Sequence, residues 1–469
     1  MMTIQIPDNK NVFVGGYNTG IPVSSNNAES NALHALAEMS LYDLIDKNHI
    51  SFVNSSFEKE EDTKKMHVIE LGRKKSENGE ELVVYTNNIL AFLTYGKTGV
   101  TVHSRFDDRA NNYFLFHMLE KVCGVSFSHL MSRSNKLSVL DIYPLFLPKL
   151  LKSAISQGLF RSYVNRSYNN NKVKGRIDIA RHIRYNIPFN GNIAYSSREY
   201  SEDNAVMQLV RHTIEYISSR KKWTSLDAET KAAIEIVCQA TPTYDLKRRN
   251  EVISINETKV VNHPYYSKYR ALQNLCLSIL KQRKAGVGNG NGKQVNGILI
   301  DGAWLWEEYI AYVLKQNDTG NMSFKHYTNK NSHFSLFKDF TQKIVPDYLS
   351  DDYDEGKGTA TAVGDAKYME LENRSHLEDE QAKSVYYKTI MYMYRFNSKK
   401  GFIFFPMKQD NSTNNVQVFE IAGGLGGTFY KIGMKVPETN KDYDKFIEAL
   451  TAAEENFRKV VFELINASS

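Results

Sequence analysis

Apolar and polar positions alternate in short runs through the first part of the chain, then recur at helical spacing, then alternate again. This succession divides the 469 residues into about three regions. His67–Leu71, Leu82–Tyr85, Ile89–Tyr95 and Gly99–Phe106 read as strands, and Tyr113–Val122 as an amphipathic helix, so residues 1–135 are expected to form a β-rich domain. The charged segments Phe57–Lys65 and Gly72–Glu81 are expected to project from it as loops. Leu140–Gln157, Glu202–Arg220, Asp227–Gln239 and Tyr266–Lys284 carry helix-length amphipathic patterns, which predicts a mainly helical middle domain over 136–285. The glycine- and asparagine-rich run Lys284–Lys293 reads as a linker to a third domain at 296–469. There the pattern predicts a helix from about Ala303, strands at Phe324–Thr328, up to Asp347 and over Thr361–Tyr368, a helix at Gln381–Phe396, and strands at Gly401–Pro406 and Val416–Ile421. The whole is expected to be a multidomain α+β protein.

The third region also holds the most informative chemistry. Ile344-Val345-Pro346-Asp347 is followed by Asp365-Ala366-Lys367, with the polar stretch Ser350–Gly358 between them reading as a hairpin turn. Side chains alternate faces along a strand, so Asp365 and Lys367 share one face while Ala362, Gly364 and Ala366 share the other. A hairpin symmetric about Gly356 would set Asp347 opposite Asp365. Two hard carboxylates suit magnesium, which takes one or two protein carboxylates and keeps several waters. A lysine beside them can orient a water or neutralise charge developing at phosphorus. Taken alone, such a pair of motifs is also what a charged surface hairpin looks like, and its surroundings have to decide.

Upstream, Glu307 lies three or four residues from Ala303, Trp304, Ile310 and Ala311, on an apolar face where an uncompensated carboxylate is costly, whereas Glu308 can pair with Lys315. Glu307 is therefore a candidate third carboxylate of a metal site, or else a helix-flank residue reaching solvent. The segment Asn169–Arg184 concentrates Lys172, Lys174, Arg176, Arg181 and Arg184, which fits phosphate contact equally well with a solvated turn shaped by Gly175. Neither Gly96-Lys97-Thr98 nor Gly292-Lys293 has the spacing of a phosphate-cradling nucleotide loop: Ala91 and Val287 stand where the first glycine belongs. Nucleotide hydrolysis is not expected of this chain.

Leu305-Trp306-Glu307, Pro346-Asp347, Asp365-Ala366-Lys367-Tyr368, Lys174-Gly175-Arg176-Ile177-Asp178 and His263-Pro264-Tyr265-Tyr266 together resemble the McrC family, the nuclease subunits of McrBC-type and LlaJI-like restriction systems. The ordered elements of the third region resemble the αβββαβ core of PD-(D/E)XK nucleases. The resemblance implies a C-terminal α/β nuclease core with Asp347, Asp365, Lys367 and Glu307 as catalytic residues and Asp347, Asp365 and Glu307 holding Mg2+, while Lys172, Lys174, Arg176 and Lys388 are candidate DNA contacts by their charge. It further implies a McrB-like AAA+ GTPase or ATPase hexamer as partner, docked by residues 1–135, with double-stranded DNA, methylated or unmodified, as substrate. One departure stands out: Lys388 occupies a helix position where that family usually carries Gln.

Composition changes this picture little. A net charge of +6 permits phosphate contact. The cysteines Cys123, Cys238 and Cys276 lie far apart with no metal-binding spacing, which fits reduced, buried thiols. No cationic-then-apolar leader opens the chain and no apolar run reaches spanning length, so a cytoplasmic protein without membrane association is expected. The function expected is that of a Mg2+-dependent DNA endonuclease subunit recruited by a motor partner whose hydrolysis it stimulates. A non-cleaving docking adaptor that activates the NTPase, or a stand-alone nuclease acting in repair, are the alternatives.

Overall fold

The computed structural model describes residues 2–8, 11–13, 28–48, 50–53, 60–76, 79–96, 98–107, 111–123, 139–219, 226–285, 295–315, 322–328, 333–339, 342–371, 380–408, 415–424, 426–438 and 442–467. The chain divides into two compact units. Residues 1–44, 54–137 and 297–469 make one, and residues 45–53 with 138–296 make the other. The stretches read from composition as 1–135 and 296–469 therefore share a unit.

In that first unit the strands Met2–Pro7, Thr98–His103, Ile89–Tyr95 and Val295–Asp301 lie side by side in that order. A smaller antiparallel sheet joins Asn11–Phe13, Gly79–Thr86 and Ile69–Ser76. Gly72–Glu81, expected as a loop, is thus most of a hairpin. Its register sets Lys74 opposite Glu81 and Lys75 opposite Glu80. Of Phe57–Lys65, Glu60–Lys65 is a short helix and the rest lies outside the described residues.

The larger sheet of this unit has six strands in the order Phe324–His326, Tyr348–Ser350, Ala362–Ala366, Lys400–Lys408, Thr428–Val436 and Val416–Glu420. The first three pair antiparallel, and the hairpin between the second and third turns at Gly358, whose φ of +67° suits a residue without a Cβ. Ala362–Ala366 then runs parallel to Lys400–Lys408, and the connection between them is the helix Glu380–Arg395. One face of the sheet buries Val363, Ile403, Phe405 and Met407 with Val385, Tyr392 and Met393 of that helix and with Phe396 just after it. On the strands Phe402 and Phe404 point the other way, where Phe404 meets Phe324, Tyr348 and Phe457 of the long helix Tyr443–Asn466. The predicted helix over Glu307 spans Gly302–Lys315, started by Asp301, whose carboxylate accepts from the N–H groups of Ala303 and Trp304.

The second unit carries the four expected helices, at Val139–Ile155, Ala205–Ser219, Ala228–Ala240 and Ser267–Ala285, and a further one at Arg249–Thr258. It also carries what a mainly helical reading omits, an antiparallel sheet of Ser162–Asn170, Ile193–Ser201 and Arg176–Ile177. Its two longer strands carry Tyr163, Tyr168, Tyr195 and Tyr200 among mostly polar residues, so hydrophobic periodicity does not reveal them. Gly175 passes so close to the neighbouring strand that a Cβ there would lie 2.2 Å from the Ser196 carbonyl oxygen. Asp178 does not pair with Arg176 but caps the helix Ile179–Asn186, accepting from the Arg181 N–H at 3.1 Å. The expected linker at Lys284–Lys293 falls, from residue 286 onward, outside the described residues. Among the described residues no helix is long and apolar enough to cross a membrane.

Candidate active site

Tyr348 pairs with Gly364 and Leu349 with Val363, a register that carries Asp347 to the position opposite Asp365. The Asp347 carboxylate accepts from the backbone N–H of Ala366 at 2.7 Å, which fastens the two strands together at the site. Asp365 shares its face with Val363, the face covered by the helix Glu380–Arg395. That placement brings a second lysine to it. Lys367 ion-pairs with one oxygen of Asp365, and the Nζ of Lys388 lies 3.7 Å from the other. Asp347, Asp365, Lys367 and Lys388 are thus one cluster.

Its electrostatics follow from burial. Asp365 is wholly buried, yet neither of its oxygens makes a hydrogen bond of good geometry. Burial would raise its pKa, but the charges of Lys367 and Lys388 outweigh that and hold it below the ordinary aspartate range. Asp347 goes the other way. Desolvation, then the neighbouring Asp365 and Glu307 carboxylates, push it well above that range. Lys367 and Lys388 lose stabilisation through burial and regain more from the two aspartates, which raises both and keeps them charged.

Glu307 lies next to this cluster but is engaged elsewhere: its Oε1 is 2.8 Å from His326 Nε2. Its backbone carbonyl accepts from the Tyr348 hydroxyl at 2.6 Å. Glu308 accepts from the Trp304 indole N–H rather than from Lys315. Lys172, Lys174 and Arg176 belong to the other unit, where all are exposed. Three supporting residues carried no chemical signature in the sequence. The Tyr392 hydroxyl donates to the Val345 carbonyl at 2.8 Å and so holds the strand that presents Asp347. Only its position one helical turn after Lys388 could have pointed to it. His326 and Arg105, which donates to the Tyr368 carbonyl, are the others.

Among the described residues no group of three or more His, Cys, Asp or Glu side chains stands ready as a metal cluster. The pair Asp347 and Asp365 nevertheless fits a hard divalent cation. Asp365 is a fully buried carboxylate whose oxygens meet two ammonium groups but no well-formed hydrogen bond, and magnesium needs only one or two protein carboxylates.

A family model described as McrBC 5-methylcytosine restriction system component matches residues 84–406. Among solved structures, an assembly of Thermococcus gammatolerans McrB AAA+ hexamers with bound McrC is similar over 99 % of this chain and 100 % of that chain, with TM-score 0.50 at 15 % identity. A second structure, the Thermococcus gammatolerans McrBC complex, is similar over 67 % of this chain and 88 % of that one, with TM-score 0.29 at 14 % identity. Comparison with curated proteins returned no match.

Proposed function

This chain belongs to the McrBC 5-methylcytosine restriction system component family, and from that premise we propose that it is the DNA-cleaving subunit of a McrBC-type complex. The observation that carries the reading is the pairing of Asp347 and Asp365 across one hairpin, with Lys367 on the face of Asp365. The order of elements around it, helix Gly302–Lys315, three antiparallel strands, helix Glu380–Arg395 and the parallel strand Lys400–Lys408, supports a PD-(D/E)XK nuclease core.

Asp347 and Asp365 are the residues that would hold Mg2+, with Glu307 free to join only by leaving His326. When bound, magnesium supplies positive charge to the scissile phosphate and makes water a better nucleophile. The chain's own residues do the rest. The Ala366 N–H and Tyr392 fix Asp347 in place, and Lys367 orients a water or neutralises charge that develops at phosphorus. Asp347 would act as a ligand in its ionised form.

Recruitment is assigned to a McrB-like AAA+ hexamer, GTPase or ATPase, by likeness to the assembly in which McrC is bound to McrB hexamers. Double-stranded DNA is the substrate this assignment implies. A surface open to a protein partner is present: Ile179, Ile183, Ile187 and Phe189 are exposed together with Arg176 and Arg184 on the second unit. The test is co-purification of the full chain with an AAA+ partner, followed by cleavage of methylated and unmodified duplex DNA with Mg2+ and nucleotide. Cleavage is expected only with the intact site. An assembled complex that cuts equally well with Asp365→Asn, or in excess EDTA, places the chemistry in another subunit.

A further inference from the structure

We propose that Lys388 is a catalytic residue that contacts the scissile phosphate and occupies, with its ammonium, the place a second divalent cation would take, so that the site works with one Mg2+. This rests on the reading of Asp347 and Asp365 as the metal-binding pair.

The two lysines divide one carboxylate between them. Lys367 pairs with one oxygen of Asp365 and Lys388 approaches the other at 3.7 Å, from a different element of the fold. Asp365 itself is wholly buried, whereas the Lys388 side chain is 44 % exposed. Lys388 is therefore anchored on the site by charge and open on its outer side. Tyr392, one turn further along the helix, lies under it, with Nζ 5.4 Å from the ring centroid. That ring is fixed by its own hydroxyl bond to Val345, so the ammonium rests on a rigid floor.

Charge counting then limits the metal. With both aspartates ionised, Asp347, Asp365, Lys367 and Lys388 sum to zero, and the nearest further carboxylate, Glu307, is engaged by His326. One divalent cation brings the cluster to a net double positive charge, which matches the single negative charge of a phosphodiester together with that of a hydroxide formed from the attacking water. A second cation would meet two fixed ammonium groups in a water-poor site where, among the described residues, no cluster of three or more metal-ligating side chains stands ready to hold it. The phosphate oxygen that a second metal would bind is left to the exposed end of Lys388, an ion pair of the kind lysine makes as a point charge.

The experiment titrates the full-length protein with Mn2+, followed by electron paramagnetic resonance, and measures duplex DNA affinity in Ca2+ at low salt. Wild type is expected to take up one Mn2+ per chain. Lys388→Gln should bind Mn2+ about tenfold tighter, or accept a second equivalent, and bind DNA about tenfold more weakly, with Lys388→Arg restoring both properties. Lys388→Met, another neutral change at this half-exposed position, repeats the measurement if circular dichroism shows the Gln variant misfolded. Two equivalents of Mn2+ in wild type, or neutral variants unchanged in both Mn2+ and DNA affinity, would overturn the proposal while leaving the nuclease reading intact. Wild-type protein that binds no Mn2+, or binds it equally with Asp365→Asn, would overturn both.

Discussion

Arg105 donates from its guanidinium to the carbonyl oxygen of Tyr368 at 3.3 Å and lies over the Tyr368 ring, 4.9 Å from its centroid. Tyr368 answers with its hydroxyl, which donates to Ser104 Oγ at 2.7 Å. The residue that follows Lys367 is thus held from both ends by the loop after the strand Thr98–His103. Arg105 is held in turn by Asp8, with which it forms a buried ion pair at 3.1 Å.

Arg105→Met should leave Asp8 buried without its partner and cost about 3–5 kcal/mol of stability. Asp8→Asn combined with Arg105→Met should recover part of that loss. Denaturant unfolding of the two single variants and the double variant checks this. Additive losses would mean that the pair does not act as a unit.

Asp347→Asn, Asp365→Asn and Lys367→Ala should each lower strand cleavage by more than about a hundredfold, while association with the AAA+ partner survives. Glu307→Gln should cost less, because His326 rather than the aspartate pair engages that carboxylate in the present structure. Time courses of plasmid cleavage beside pull-down of the partner separate the two properties.

His212 predicts an acid sensitivity in the second unit. Its ring is fully buried with neither nitrogen hydrogen-bonded, and desolvation, then the charge of Arg249, lowers its pKa from 6.5 to about 4. The unfolded chain takes up the proton first as pH falls. Full stability is therefore present above pH 6.5 and is lost progressively down to about 4, by about 3 kcal/mol in all. His212→Phe should abolish that part of the loss, which thermal unfolding at pH 7.5 and pH 5 would reveal as a smaller difference than in wild type.

Gly175→Ala should disrupt the small sheet of the second unit, since backbone rather than a movable side chain occupies the space its Cβ needs. Loss of amide protection at Arg176, Ile177, Tyr195 and Ser196, with the helix Ala205–Ser219 still protected, is the expected hydrogen-exchange result. Uniform protection throughout would show that the strand yields without cost.

What could be read in the chain was whatever depends on near neighbours. Asp347, Asp365 and Lys367 were legible because strand alternation and a glycine-bearing turn fix their register locally. Lys388 was placed among residues that resemble DNA contacts, but its distance from Asp365 depends on how a crossover helix packs, which no spacing reveals. The strand Thr428–Val436 hides behind Lys431, Gly433 and Lys435 within an otherwise apolar run, though Lys431 is only 1 % exposed. In the helix Tyr443–Asn466 the buried stripe is interrupted by Glu454, whose partners, His117 and Tyr309, come from two distant helices. Arg105 reads as an ordinary surface charge until Asp8 and Tyr368 close around it.

These long-range partnerships set an order of events during synthesis. Tyr368 is made 264 residues after Ser104, and Glu454 follows His117 by 337. A ribosome therefore exposes the first strands and the helix Tyr443–Asn466 to each other only after nearly everything between them has been translated. An incomplete chain can contain Asp347, Asp365 and Lys367 and still lack the packing that holds them in register. On the proposed nuclease reading, unfinished copies would not cut the DNA of the cell that makes them, because the cluster around Asp365 forms only with the finished fold.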